Sequence, residues 1–189
     1  MWDRINMLRI TSGIAKGRKL ILPKNQKVTA VKEKVKLAIF SIIGERINGA
    51  TCLDLYAGSG NLGIEAISRG ASFCDFVDDS KTSVETIEDN LKHTDLSNRG
   101  NAIRDDGLKY LSNTQNYYDI IFADPYYSET NHRHLIKLGV ARLKPNGLFF
   151  LLSAADSASA ELPNELADSV QTETRKYGKT LLTIISVKP

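Results

Sequence analysis

The chain has 189 residues, of which 42% are apolar and 25% charged, with a net charge of +3. That length suits one domain with room for a short appendage, and no apolar run approaches the ~20 residues needed to cross a bilayer. No stretch near Met1 has the order of a signal peptide, and Cys52 and Cys74 fall in expected buried strands without a Cys-x-x-Cys. Reduced core cysteines in a cytoplasmic protein are therefore expected, with no disulfide or metal role.

The charge is unevenly spread. From Met1 to Ala50 eleven Lys or Arg stand against three acids, a local balance of +8, so the remainder carries −5. A basic amino-terminal region on an acidic body fits a polyanion partner, although a solvated lysine-rich face would look the same on charge alone.

Arg9 to Leu22, with short polar–apolar alternation and Gly13 and Gly17 as punctuation, predicts a small β-hairpin or extended arm. Val31, Val35, Ala38, Ile39, Ile42 and Ile43 recur at helical spacing between Val28 and Ile43, with Gly44 as the stop. Lys32, Lys34 and Lys36 punctuate that helix and are expected to face mostly away from its apolar stripe. A strand–helix rhythm then begins. Strands are predicted at Thr51–Tyr56, Phe73–Val77, Asn101–Arg104, Tyr118–Ala123 and Gly147–Leu152. Helices are expected up to about Arg69, over Ser80–His93, over Asp106–Leu111 and over His132–Leu143. Val170–Tyr177 and Thr180–Val187 form a closing hairpin around Gly178. This alternation predicts an α/β, Rossmann-like fold with a mostly parallel seven-stranded sheet and an antiparallel last hairpin. Residues 1–48 would be a basic extension and 49–189 the main domain.

Gly58, Gly60 and Gly63, in Asp54-Leu55-Tyr56-Ala57-Gly58-Ser59-Gly60-Asn61-Leu62-Gly63, satisfy G-x-G-x-x-G between a strand and a helix. Glycine lets the backbone turn tightly and approach a ligand, and Asp78, about 20 residues on at the next strand end, can accept ribose hydroxyls. These features suit a nucleoside-bearing cofactor, either a nicotinamide dinucleotide or S-adenosylmethionine. Asp54 would repel a pyrophosphate but welcome the ammonium of S-adenosylmethionine. Asp106 is either an acceptor for an adenine amino group or a helix N-cap.

Asp124-Pro125-Tyr126-Tyr127 ends the Tyr118–Ala123 strand, at the edge where open α/β sheets bind ligands. The Asp124 carboxylate and Pro125 carbonyl can accept from an exocyclic base amine, and Tyr127 can stack the base. A surface turn is the competing reading, weakened by the Gly-rich turn at the same edge. His132 and His134, two residues apart, point to different sides of a helix and make a poor metal pair.

Taken together, these motifs resemble the RsmD-like 16S rRNA guanine-N2 methyltransferases, from Leu8 almost to the end. The likeness is carried by Arg9-Ile10-Thr11-Ser12-Gly13, Lys16-Gly17-Arg18-Lys19-Leu20, Val35-Lys36 with Ala38-Ile39-Phe40, the turn from Leu53 to Gly70-Ala71, Phe76-Val77-Asp78, the Asp124 motif and Tyr177-Gly178-Lys179-Thr180. The resemblance implies a class I methyltransferase acting on one guanine of small-subunit rRNA in an assembling ribosomal particle, as a monomer. It places S-adenosylmethionine at Asp54, Gly58, Gly60, Asp78 and Asp106, with Tyr56 beside them. Asp124, Pro125 and Tyr127 would then meet the base, and Arg9, Lys16, Arg18, Lys19, Lys32 and Lys36 the RNA.

The chain departs from that family where Tyr126 replaces a second Pro, Thr29-Ala30-Val31 replaces Arg-Pro-Thr, and Leu37 replaces a Glu. An adenine-N6 methyltransferase, a non-catalytic rRNA-binding protein and an NAD(P)-dependent oxidoreductase remain the alternatives.

Overall fold

The computed structural model describes residues 8–23, 30–125, 131–155 and 162–188, without the side chains of 30–32. Five helices and seven strands follow one another among them: α1 Ala30–Ile43, β1 Thr51–Leu55, α2 Asn61–Arg69, β2 Phe73–Asp78, α3 Lys81–His93, β3 Gly100–Arg104, α4 Gly107–Asn113, β4 Tyr118–Ala123, α5 His132–Val140, β5 Leu143–Ala154, β6 Val170–Tyr177 and β7 Thr180–Val187. The sheet order is β3-β2-β1-β4-β5-β7-β6. β1 to β5 pair in parallel, whereas β7 runs antiparallel between β5 and β6. The strand order reverses between β1 and β4, the switch point where such sheets open a crevice.

The strands are nearly continuous apolar runs because both faces are covered. Alternate residues Cys52, Phe76, Phe122 and Phe150 join one cluster with Ile39 of α1, Ile64 of α2 and Ile87 of α3. Leu53, Val77, Ile121 and Phe149 join the opposite cluster with Leu111 of α4 and Leu135 and Ile136 of α5. Phe122 stacks on Phe150 and meets Phe40 of α1 at ring separations of 5.9 and 5.8 Å. No described helix is long and apolar enough to cross a membrane.

Two boundaries differ from the sequence expectation by three residues or more, the others by one or two. α5 stops at Val140, and β5 begins at Leu143 rather than Gly147. Lys144-Pro145-Asn146-Gly147 reads as a turn, and Asn146 does adopt φ +61°. Yet Leu143 still pairs with Tyr118 before the register jumps to Ile120↔Leu148, so the turn residues form an irregularity inside one long strand.

The arm is a minimal hairpin. Arg9 and Lys19 form its one antiparallel bridge, Ile10 N–H donates to Arg18 O at 2.9 Å, and Leu20 N–H donates to Leu8 O at 2.8 Å. Leu8, Ile10, Ala15 and Leu20 enter the same apolar cluster as one face of the sheet, so residues 8–23 share the main core.

Lys36 corrects the expectation of an outward-facing lysine. It is 1% exposed and ion-paired at 3.1 Å with Glu65, itself fully buried. That burial removes Lys36 from the exposed basic surface expected from the sequence. Glu65 also accepts from Thr11 N–H at 2.9 Å, Thr11 hydroxyl at 2.7 Å, Ser12 N–H at 3.1 Å and Arg69 Nε at 2.7 Å. Burial alone would raise the Glu65 pKa, but Lys36, Thr11 and Arg69 outweigh it and hold the carboxyl below its ordinary value.

Candidate active site

The turn between β1 and α2 takes the shape its glycines predict. Gly58 and Gly60 have φ +56° and +75°, left-handed values that are strained for residues with a Cβ. Gly63 serves a different need: a Cβ there would lie 2.3 Å from the Phe76 ring and 2.7 Å from Cys74 Sγ. Its hydrogen lets α2 lie directly on β2. Tyr56 also has positive φ, +57°, and its ring covers the start of α4 so closely that a Cβ on Gly107 would lie 2.8 Å from it.

Two carboxylates fasten this turn to the strands. Asp54 Oδ2 accepts from Gly63 N–H at 2.8 Å, and Asp78 Oδ2 accepts from Gly58 N–H at 2.8 Å while its Oδ1 takes Ser80 N–H at 3.0 Å. Asp54 is buried, and that burial drives its pKa well up; the Gly63 N–H opposes the rise, while the charges of Asp124 and Asp78 add to it. Asp54, Asp78 and Asp124 thus act as neighbours, from strands β1, β2 and β4. Asp106 caps α4, its Oδ1 accepting from Lys109 N–H at 2.8 Å, so the N-cap reading holds for that residue, which follows β3.

Asp124 and Pro125 continue beyond the Leu55↔Ala123 pair, with Asp124 N–H 3.5 Å from Leu55 O and Pro125 buried. They therefore stand across the switch point from the Gly-rich turn. Tyr126 and Tyr127 lie outside the described residues, as does the Lys32 side chain. Arg9, Lys16, Arg18 and Lys19 are exposed on the arm, and Arg18 is engaged, pairing with Asp95 at 2.7 Å and donating to His93 O at 2.6 Å. The RNA-binding set expected from the sequence is thus divided between this surface and the buried Lys36.

Sequence reading missed two polar atoms near the motif. Among the described residues, His132 Nε2 and Ser153 Oγ are the buried side-chain atoms with no hydrogen-bond partner. Ser153 lies two residues beyond Leu151, the partner of Ala123, and His132 opens α5, which follows the motif. His132 as a residue is partly buried, and that burial lowers its pKa. Only an assembled structure could reveal these atoms, because nothing in a local pattern separates an orphaned hydroxyl from a solvated one.

The acceptors answer which cofactor fits. Clustered carboxylates suit an ammonium and a ribose diol and would repel a pyrophosphate. S-adenosylmethionine fits that set, with Asp54 suited to its amino group, Asp78 to its ribose and the turn backbone to its close approach.

Comparison with known proteins agrees. The family described as Conserved hypothetical protein 95 matches residues 8–186. A provisionally named rRNA methyltransferase of Bacillus subtilis (strain 168), YlbH, is 35% identical over 178 residues, covering 92% of this chain and 95% of its own. Ribosomal RNA small subunit methyltransferase D of Haemophilus influenzae is 31% identical, over 79% of this chain and 80% of its own. Among solved structures, a methyltransferase-fold protein of Thermus thermophilus, the 16S rRNA N2 methyltransferase RsmC in complex with AdoMet and guanosine, superposes with TM-score 0.73 at 23% identity. It covers 98% of this chain and half of its own, and at that identity the likeness speaks for the fold. With the sheet order, the carboxylate-fastened turn and Asp124-Pro125 in place, the chain belongs to the RsmD-like family of S-adenosylmethionine-dependent rRNA methyltransferases.

Proposed function

We propose that this protein methylates the exocyclic N2 amine of one guanine in 16S rRNA, within an assembling small-subunit particle. The observation that carries the reading is the placement of Asp124-Pro125 across the switch point from Asp54 and Asp78. S-adenosylmethionine supplies an electrophilic methyl on a sulfonium. The protein's task is to present a poor nucleophile, because the amine lone pair is delocalised into the base. Asp124 carboxylate and Pro125 carbonyl would accept from the two N–H groups, favouring a tetrahedral nitrogen whose lone pair is free to attack. Asp124 also offsets positive charge developing on that nitrogen. The amine proton leaves to water after the N–C bond forms and the S–C bond breaks, so no histidine base is required. Tyr127 is assigned to stacking of the extruded base.

The small subunit is proposed from the names of the methyltransferase D relatives, and guanine over adenine from the N2 activity and bound guanosine of the Thermus thermophilus neighbour. Residues 1–48 would serve as the RNA-docking extension and 49–189 as the catalytic body, working as a cytoplasmic monomer. Nucleoside mass spectrometry of small-subunit RNA, from particles treated with the protein and cofactor, tests this. N2-methylguanosine is expected; N6-methyladenosine, or no methylated nucleoside, would overturn it.

A further inference from the structure

The Gly-rich turn is fastened to the strands by Asp54 and Asp78, the same carboxylates that suit the cofactor. Each carboxylate has acceptor sites left over for a ligand, and the opposite side of the turn carries further bonds that hold it in shape.

Asn90, on α3 and fully buried, spends its whole amide on two segments. Its Oδ1 accepts from Ile21 N–H at 2.7 Å, and its Nδ2 donates to Ile21 O and to Ser59 O, both at 2.9 Å. Ser59 is the middle residue of the turn, whereas Ile21 belongs to the amino-terminal arm. The Ile21 N–H requires an oxygen opposite it, which fixes the amide orientation.

Lys36 repeats this pattern at the turn's other end. Its ammonium has three protons and three acceptors: Arg9 O of the arm at 2.7 Å, Asn61 Oδ1 at 2.9 Å, and Glu65 at 3.1 Å. Asn61 follows Gly60 directly and is the first residue of α2. Two buried side chains from different helices thus each join the arm to one end of the cofactor turn.

We propose that Lys36 and Asn90 are positioning residues for cofactor binding, and that the arm is through them a structural part of the S-adenosylmethionine site. The arm's docked state presets Ser59 and Asn61, so the turn need not be ordered by the ligand. This inference rests on the methyltransferase reading only as far as the identity of the cofactor.

Isothermal titration of S-adenosylmethionine into the full chain, without RNA, tests it. The wild-type titration stands as its own control: if the wild type fails to bind, the cofactor reading falls, and with it the basis of the proposal. Asn90→Ala and Lys36→Met are each expected to raise Kd about tenfold or more, as loss of a buried hydrogen bond would. Lys36→Arg should recover most of that loss. In methyl transfer the variants should raise KM for the cofactor and leave kcat at saturation within about twofold.

Should Asn90→Ala fail to fold, Ile21→Pro removes the N–H that Asn90 accepts and fixes φ there, while its side chain, 53% exposed, leaves the core packing in place. A rise in Kd of about threefold is expected from it. Folded variants that melt lower but bind the cofactor as the wild type does would overturn the proposal, leaving Lys36 and Asn90 as staples of the arm alone.

Discussion

Asp54 and Asp124 are neighbouring carboxylates with different work, and substitution should separate them. Asp124→Ala is expected to lower single-turnover methyl transfer by about 10²–10³, the scale for losing one charge-stabilising group. Its cofactor Kd should stay near wild type, because removing Asp124 relieves rather than worsens the burden on Asp54. Equal loss of transfer and cofactor binding would move Asp124 into the cofactor site. Asp54 makes the opposite case. Burial above all, with Asp124 and Asp78 adding to it, raises its pKa, whereas a ligand ammonium favours its ionised form. At pH values where Asp54 is protonated in the free protein, cofactor binding should therefore release a proton, and affinity should rise with pH across that range. Titrations in buffers of different ionisation enthalpy would reveal that release, and Asp54→Asn should abolish it while weakening binding. Identical enthalpies in all buffers would show that Asp54 is already ionised.

At the scale of elements, the meeting of α2 with β2 and of the arm with α2 can each be tested. Gly63→Ala inserts a methyl 2.3 Å from the Phe76 ring, so a loss of about 1–3 kcal/mol in denaturant unfolding is expected. The arm depends on Glu65. Its folded pKa lies below the ordinary 4.5, so its contribution is present above that pH and is lost as pH falls through the lowered value. Hydrogen exchange below pH 4.5 should consequently show Ile14 N–H, which donates to Ser68 O at 2.8 Å, opening before the central strands. Simultaneous opening of arm and strands would mean that the arm has no separate stability. The parallel strands were legible in the sequence because burial on both faces leaves continuous apolar runs, and the closing hairpin matched to the residue. The start of β5 was not, since Lys144-Pro145-Asn146-Gly147 carries turn chemistry that only the neighbouring Tyr118 overrides. The contacts of Lys36 and Asn90 were beyond a local reading too. Their partners at Glu65, Asn61, Ser59 and Ile21 are distant in sequence, although Ile39, Phe40 and Ile43, three, four and seven residues on, put Lys36 on a buried helical face.

At the scale of the whole molecule, the uneven charge of the chain takes a definite shape. With Lys36 paired inside and Arg18 tied to Asp95, the remaining exposed cations on the arm include Arg9, Lys16 and Lys19. If the arm docks RNA, each phosphate left without its cation should change the salt dependence of binding by slightly less than one unit of log Kd per log salt. Lys16→Ala with Lys19→Ala should therefore flatten that slope by about 1–2. Arg18→Ala should change it less, since its charge is already spent on Asp95 and His93 O. Filter binding of small-subunit RNA between low and moderate salt measures the slope directly. An unchanged slope in the double variant would return the arm's lysines to a solvated face and shift RNA docking to another surface. A large change from Arg18→Ala alone would show that its ion pair opens when RNA binds, and that docking on the arm is felt at the end of α3.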